Sequence, residues 1–215
     1  MADYKKKFID FAMEVGALKF GDFTLKSGRK SPYFFNSGEF KTGSELSILA
    51  EYYAEVVNEK TDYDNVVLFG PAYKGIPLAT ATAIKLSNNF GIDYPVSYNR
   101  KEVKDHGEKG EIIGEKLDET KNIIAIEDVI TAGTAIGITK EVLASNGNAK
   151  LRAVVISVDR CEVKELGDKE TAIDRIARES NIEIFPIVTI YDIAEYLGGE
   201  VSEKIHEYLK EYGAN

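Results

Sequence analysis

The 215 residues contain a single cysteine, Cys161. That excludes an internal disulfide and a cysteine-rich metal site, and it makes a reducing cytoplasm the expected setting. No apolar run approaches the roughly 18 residues that a bilayer-crossing helix requires, so no membrane partner is expected. The opening residues MADYKKKFIDF place Asp10 inside their apolar part, which does not fit a secretory leader. Positive charge is in deficit: the formal net charge is −9. A general nucleic-acid binder needs a basic face, so none is expected here. There is no repeat at a solenoid period, no low-complexity linker, and no G-x-G-x-x-G after a strand-like run. What the chain does have is 44% hydrophobic residues, enough to bury a sizeable core. Its length suits one large domain, or a domain with an appendage, at the usual scale of about 100–200 residues each. In so acidic a chain, local clusters of cations are informative, because a protein that handles a polyanion concentrates its cations where the anion sits.

Residues 122–135 read NIIAIEDVITAGTA. Ile123 to Ile126 form a short apolar run of strand-forming residues, and Glu127 and Asp128 follow at once. After Gly133 the apolar spacing turns helical, with Ala135, Ile138, Val142 and Leu143 on one side. A small-residue loop opening a helix presents backbone N–H groups without intrahelical partners, and the helix dipole adds partial positive charge, which together make a phosphate cradle. Two carboxylates beside it would repel phosphate but accept hydrogen bonds from sugar hydroxyls. The joint expectation is a sugar phosphate lying across the carboxyl end of a parallel strand.

The rest of the chain repeats this grammar. Residues 3–18 read as an amphipathic helix containing Gly16, and residues 23–25 and 33–35 as strands around a turn at Ser27-Gly28-Arg29. Residues 42–59 read as a helix opened by Thr42 with Glu45 three positions on, the spacing of a capping box. Residues 65–69 read as a buried strand, followed by the loop GPAYKG carrying Lys74 and a helix over 76–85. A strand is expected over 94–99. Residues 100–110, RKEVKDHGEKG, have almost no apolar content and carry His106 among Arg100, Lys101 and Lys104, so they read as a mobile cationic lid. Strands are further expected over 151–159 and 182–190, and helices over 171–180, 191–197 and 201–212. Strands alternating with helices from about residue 65 to 190 predict a parallel sheet covered on both faces.

The segment EDVITAGTA at 127–135 resembles the PRPP-binding motif of the type I phosphoribosyltransferases, with Glu127 where many members carry Asp. FGDFTLKSGRKSPYFFN at 20–36, GPAYKGIP at 70–77 and NRKEVKDHG at 99–107 resemble the bacterial orotate phosphoribosyltransferases in the same order and at similar spacing, so the likeness covers nearly the whole chain. It implies the type I phosphoribosyltransferase α/β fold: a central, mostly parallel sheet flanked by helices, with a hood at about 1–40, a core at about 60–190 and a lid at about 100–110, all in one domain. It implies transfer of phosphoribose from PRPP to orotate with Mg2+ held mainly through PRPP and pyrophosphate rather than directly by the protein. It further implies a homodimer whose lid serves the partner's site. The roles that carry over put Lys26, Tyr73 and Lys74 against pyrophosphate, and Glu127 and Asp128 on the ribose hydroxyls. Val129, Ile130, Thr131, Ala132, Gly133, Thr134 and Ala135 complete the PRPP loop, with Thr131 to Ala135 on the 5′-phosphate. Arg100, Lys101, Lys104 and His106 form the lid, and Lys104, His106 and Asp128 are the expected catalytic set. Phe34, Phe35, Thr131 and Arg160 match the orotate pocket; a planar guanidinium suits a carboxylate. The alternative reading is a catalytically silent PRPP-binding regulator of the same fold, against which the intact lid cations and the acidic net charge count.

Overall fold

A computed structural model describes residues 1–25, 28–104, 110–130 and 133–214, with the backbone alone described at 101–104 and 110. Six strands form the main sheet: β3 (Val66–Gly70), β4 (Val96–Lys104), β5 (Gly110–Gly114), β6 (Asn122–Ile126), β7 (Lys150–Asp159) and β8 (Glu183–Thr189). Their order is β5-β4-β3-β6-β7-β8, and every pairing is parallel except β4 with β5. A separate antiparallel hairpin, β1 (Leu18–Thr24) and β2 (Lys30–Phe35), precedes them.

The central strands are apolar on both faces because both faces are covered. Alternation along the pleat sends Val66 and Leu68, Ile124 and Ile126, and Ala153 and Val155 to one side. There they meet helices α1 (Asp3–Glu14), α2 (Gly43–Lys60), α3 (Gly75–Phe90), α6 (Ile190–Leu197) and α7 (Gly199–Tyr212). The intervening residues, among them Val67, Phe69, Ile123, Val154 and Ile156, pack on the other side against α4 (Thr134–Ser145) and α5 (Ala172–Ser180).

The helix starts follow their caps. The Thr42 hydroxyl accepts from the Glu45 amide while the Glu45 carboxylate accepts from the Thr42 amide, so the expected capping box is present. Thr189 and Asp192 close the same box at α6, and at α5 the Thr171 hydroxyl accepts from the Asp174 amide while donating to the Asp174 carboxylate. Two expectations need correction. The first helix stops at Glu14 rather than 18, because Gly16 adopts a left-handed φ of 74° and Leu18 is taken into the hairpin opposite Phe35. The strand expected over 94–99 continues to Lys104 and pairs back with β5, so the charged segment is entered and left through an antiparallel ladder, Lys104 opposite Gly110.

The connection order puts a switch point between β3 and β6. The chain leaves β3 towards β4 on one side and β6 towards β7 on the other, so the loops after β3 and β6 diverge around a crevice at the carboxyl edge. At Gly75 the first of these loops returns against the second: a Cβ there would lie 2.8 Å from the Ile126 carbonyl oxygen and 2.6 Å from Pro71 Cδ.

Candidate active site

Asp128 lies at the centre of that crevice. One carboxylate oxygen, Oδ2, accepts from Lys74 Nζ at 2.7 Å and from the Ser37 hydroxyl at 2.8 Å, and Oδ1 accepts from the Val129 amide at 2.8 Å. Lys74 Nζ is also 3.2 Å from Ser37 Oγ, which closes a three-membered polar cluster. Burial pushes the Asp128 carboxyl up, but the hydrogen bonds from Lys74, Ser37 and Val129 outweigh it and leave the group below its ordinary value. Its neighbour behaves in the opposite way. Glu127 is pushed up to about 7, first by burial and then by the negative charge of Asp128. Two adjacent carboxylates therefore differ in protonation near neutrality.

The backbone of the acid pair is clamped. The Glu127 amide donates to the Val155 carbonyl and the Ser157 amide to the Asp128 carbonyl, which extends the β6–β7 ladder past its last strand residue. The fully buried Tyr53 donates its hydroxyl to the Glu127 carbonyl at 2.6 Å and stands 2.7 Å from Ser157 Oγ. After the pair, Val129 and Ile130 are half-buried, and Ile130 packs beneath α5. Gly133 leads into α4, whose first bond runs from the Gly137 amide to the Gly133 carbonyl. The amides of Thr134, Ala135 and Ile136 therefore have no intrahelical acceptor, and Thr134 and Ala135 are exposed. A helix start with open amides thus stands where the sequence places one.

The loop after β3 faces the same crevice. The buried side chain of Asn99 on β4 accepts from the Ala72 amide at 2.9 Å and fixes the loop; the Ala72–Tyr73 peptide is cis, and Tyr73 is 66% exposed. Arg100 follows Asn99 on β4 and is half-buried.

At the end of β7 the Arg160 guanidinium lies over the Tyr33 ring, 5.3 Å from its centroid, and its Nε donates to the Tyr33 hydroxyl at 3.2 Å. Its Nη2 is 2.6 Å from Glu162 Oε1 but lacks the alignment of a hydrogen bond to any described residue. Phe34 and Phe35 do not face one way. Phe34 is 40% exposed and stacked on Phe23, and Phe35 turns to the opposite side of β2 against Phe8.

The structure thus brings together Lys74, Asp128, Glu127, Val129 and the start of α4, with Arg160 one strand away. Lys26, His106, Thr131 and Ala132 lie outside the described residues, and so do the side chains of Lys101 and Lys104. Ser37, Tyr53, Asn99 and Glu162 all hold site residues in place, and none stands out in the sequence. Among the described residues no three His, Cys, Asp or Glu side chains gather as a metal cage, and no helix is long and apolar enough to cross a membrane.

Residues 37–192 match the family model for the phosphoribosyl transferase domain. The chain is 44% identical over 225 residues to the orotate phosphoribosyltransferase of Clostridium beijerinckii, covering 100% of each. It is 47% identical over 220 residues to that of Photobacterium profundum, covering 99% of this chain and 100% of the other. A crystal structure of the orotate phosphoribosyltransferase from Francisella tularensis superposes with a TM-score of 0.85 at 38% identity, covering 96% of both chains.

Proposed function

This chain belongs to the phosphoribosyl transferase family, among its orotate phosphoribosyltransferases, and we propose from that premise how its own residues carry out the transfer. The reaction joins orotate to the ribose of PRPP. The bond from C1 of ribose to pyrophosphate breaks, a C–N bond to the base forms, the base gives up its ring N–H proton, and orotidine 5′-monophosphate (OMP) and pyrophosphate are released. The step serves pyrimidine biosynthesis.

Breaking the C1–pyrophosphate bond builds positive charge on the ribose and negative charge on the leaving group. Asp128 and Glu127 receive the ribose hydroxyls and tolerate the cationic ring. Residues 131–135 take the 5′-phosphate on the free amides opening α4. Lys74, Lys26, Tyr73 and the cations of the 100–110 segment, Arg100, Lys101, Lys104 and His106, stabilise the departing pyrophosphate. Arg160, Thr131 and the exposed Phe34 receive orotate, the guanidinium meeting its carboxylate, while Phe35, packed against Phe8, supports the strand that carries Phe34. No covalent nucleophile is required.

Enzymes of this family generally use Mg2+ with PRPP. The residues present fit an ion carried by the substrate: Mg2+ would be held mainly by its phosphates with waters completing the shell, which leaves Glu127 and Asp128 to the ribose hydroxyls. When bound, it neutralises developing charge on the leaving group. The working form in this reading is a cytoplasmic homodimer in which the 100–110 segment of one subunit serves the site of the other.

The observation that carries the reading is the Lys74–Asp128–Ser37 cluster at the switch point, directly before the open amides of α4. The test is loss of orotate absorbance with PRPP and Mg2+, with hypoxanthine and uracil in parallel. Consumption of orotate alone, abolished by chelating Mg2+, is the expected result. PRPP binding without consumption of any base would instead make the chain a silent PRPP-binding regulator.

A further inference from the structure

We infer that Glu162 is a positioning residue for Arg160 and, through it, sets the preference of the base pocket for a base that carries a carboxylate. The inference rests on the reading of Arg160 as the partner of that carboxylate.

Glu162 lies two residues beyond Arg160, and three side chains from separate parts of the chain converge on it. Its Oε1 is 2.6 Å from Arg160 Nη2 and accepts from the Tyr208 hydroxyl on α7 at 2.7 Å. Its Oε2 accepts from Arg29 Nη1, in the turn just before the hairpin's second strand, at 3.1 Å. All the charged members are largely shielded, with 16% side-chain exposure for Glu162, 20% for Arg29 and 26% for Arg160. The backbone of Glu162 is fixed as well: its carbonyl accepts from the Ala172 amide, it bridges to Gly213, and the next amide, Val163, donates to the Tyr212 carbonyl. Arg29 is held in turn over the Tyr212 ring at 5.0 Å and against the Val163 carbonyl.

This arrangement restricts a long side chain to one pose. An arginine carries about 2 kcal/mol of rotamer entropy, which a ligand must otherwise overcome on binding. Here Tyr33 takes Nε and supports one face of the guanidinium, and Glu162 lies beside Nη2. The contact with Glu162 is close and the Nη2 atom is itself buried, so Glu162 acts on a shielded end of the guanidinium. The net charge of the cluster works the other way, since Glu162 cancels one of two guanidinium charges; its effect on an anionic base therefore lies in holding Arg160 in one pose. A purely structural role for Glu162, tying α7 and the hairpin to the sheet, would affect every ligand equally.

Calorimetric binding of OMP and of uridine 5′-monophosphate (UMP), which lacks the carboxylate, separates these roles. E162Q preserves shape and an acceptor for Tyr208 while removing the charge. The expected result is OMP binding weaker by about tenfold with UMP binding within about twofold of the wild type. Tyr208→Phe keeps the charge, removes one donor and should shift the ratio the same way by about threefold; it serves if E162Q does not fold. Equal loss of both nucleotides, or no change in either, overturns the inference. A wild-type chain that binds OMP and UMP alike overturns the reading of Arg160 itself, and this inference with it.

Discussion

Lys74 Nζ and Asp128 Oδ2 are 2.7 Å apart, although the residues are 54 positions apart in sequence and follow different strands of the sheet. The lysine side chain is 59% exposed and the carboxylate 13%, so the pair presents a cation towards solvent over a shielded anion. The arrangement suits a substrate that offers hydroxyls to the acid and phosphate oxygens to the lysine. Asp128→Asn should lower kcat/KM for PRPP by about a hundredfold, because it replaces charge-assisted bonds to the ribose with neutral ones. Its Tm at neutral pH should fall modestly, because the variant loses the stabilisation that the depressed carboxylate supplies. The carboxyl of Asp128 is depressed in the folded chain, so its contribution to stability is present above the ordinary carboxylate range and is lost as pH falls through the folded value. Lys74→Ala removes much of that depression. The variant should show a weaker loss of Tm on acidification than the wild type, and an unchanged acid limb would refute the coupling.

Glu127 has the opposite linkage. Its folded pKa is raised from 4.5 to about 7 by burial and by Asp128. Folding therefore favours the protonated acid: the stability it contributes is full below the unfolded value and is lost as pH rises through about 7. Ionising it against burial costs about 3 kcal/mol at pH 8, which Glu127→Gln should return. Thermal melts of wild type and variant should converge below about pH 4.5, part as pH rises from there to about 7, and run parallel above it. PRPP affinity should move the other way in the wild type, strengthening as the carboxylate forms, and the variant should lack that inflection.

The Ser37 hydroxyl reaches Asp128 from 91 residues away. Removing it leaves the Lys74 pairing and the Val129 amide in place, so Ser37→Ala should raise KM for PRPP by about fivefold and change kcat by less than about twofold. Initial rates at varied PRPP with saturating orotate give both parameters. A fall in kcat with KM unchanged would mean that Ser37 acts on the chemical step instead.

What the sequence exposed and what it concealed follow from the range of the forces involved. Strands β3, β6 and β7 were legible because strands covered on both faces must be continuously apolar, and the Thr42 cap because its partner is three residues away. The start of β1 at Leu18 and the existence of β5 depend on pairing with Phe35 and with residues 97–104, which no local pattern reports. The site divides in the same way. Glu127, Asp128, Lys74 and the α4 start stood in contiguous motifs. Ser37, Tyr53, Asn99 and Glu162 act on partners brought to them only by the folded sheet, and their side chains are ordinary in their own neighbourhoods.

Gly75 joins fold to site. A methyl group there would sit 2.6 Å from Pro71 Cδ, 2.8 Å from the Ile126 oxygen and 3.0 Å from the Gly70 carbonyl carbon. Two of these are backbone atoms of the strands that define the crevice, and they cannot yield as a flexible side chain would. Gly75→Ala should therefore cost about 3 kcal/mol or more in urea unfolding and, where folded, displace Lys74 from Asp128. Gly137→Ala is the control, since a Cβ at that helical position meets nothing within 4 Å. It should leave stability unchanged or slightly improved.

The proposed exchange of the 100–110 segment between subunits has an arithmetic consequence. Lys104→Ala spoils the segment and leaves the body of the site intact; Asp128→Asn does the reverse. Each homodimer is then inactive. In a mixed dimer with segments exchanged, one site combines a sound body with a sound segment and the other combines both lesions. Random assortment makes half the dimers mixed, so co-expression of equal amounts should restore about a quarter of wild-type activity. If each segment served its own subunit, every site would keep one lesion and mixing would restore none. Co-purification through two different affinity tags isolates the mixed species, whose activity should rise to about half that of the wild type. A mixed dimer that is isolated intact and remains inactive would place the segment in its own subunit's site.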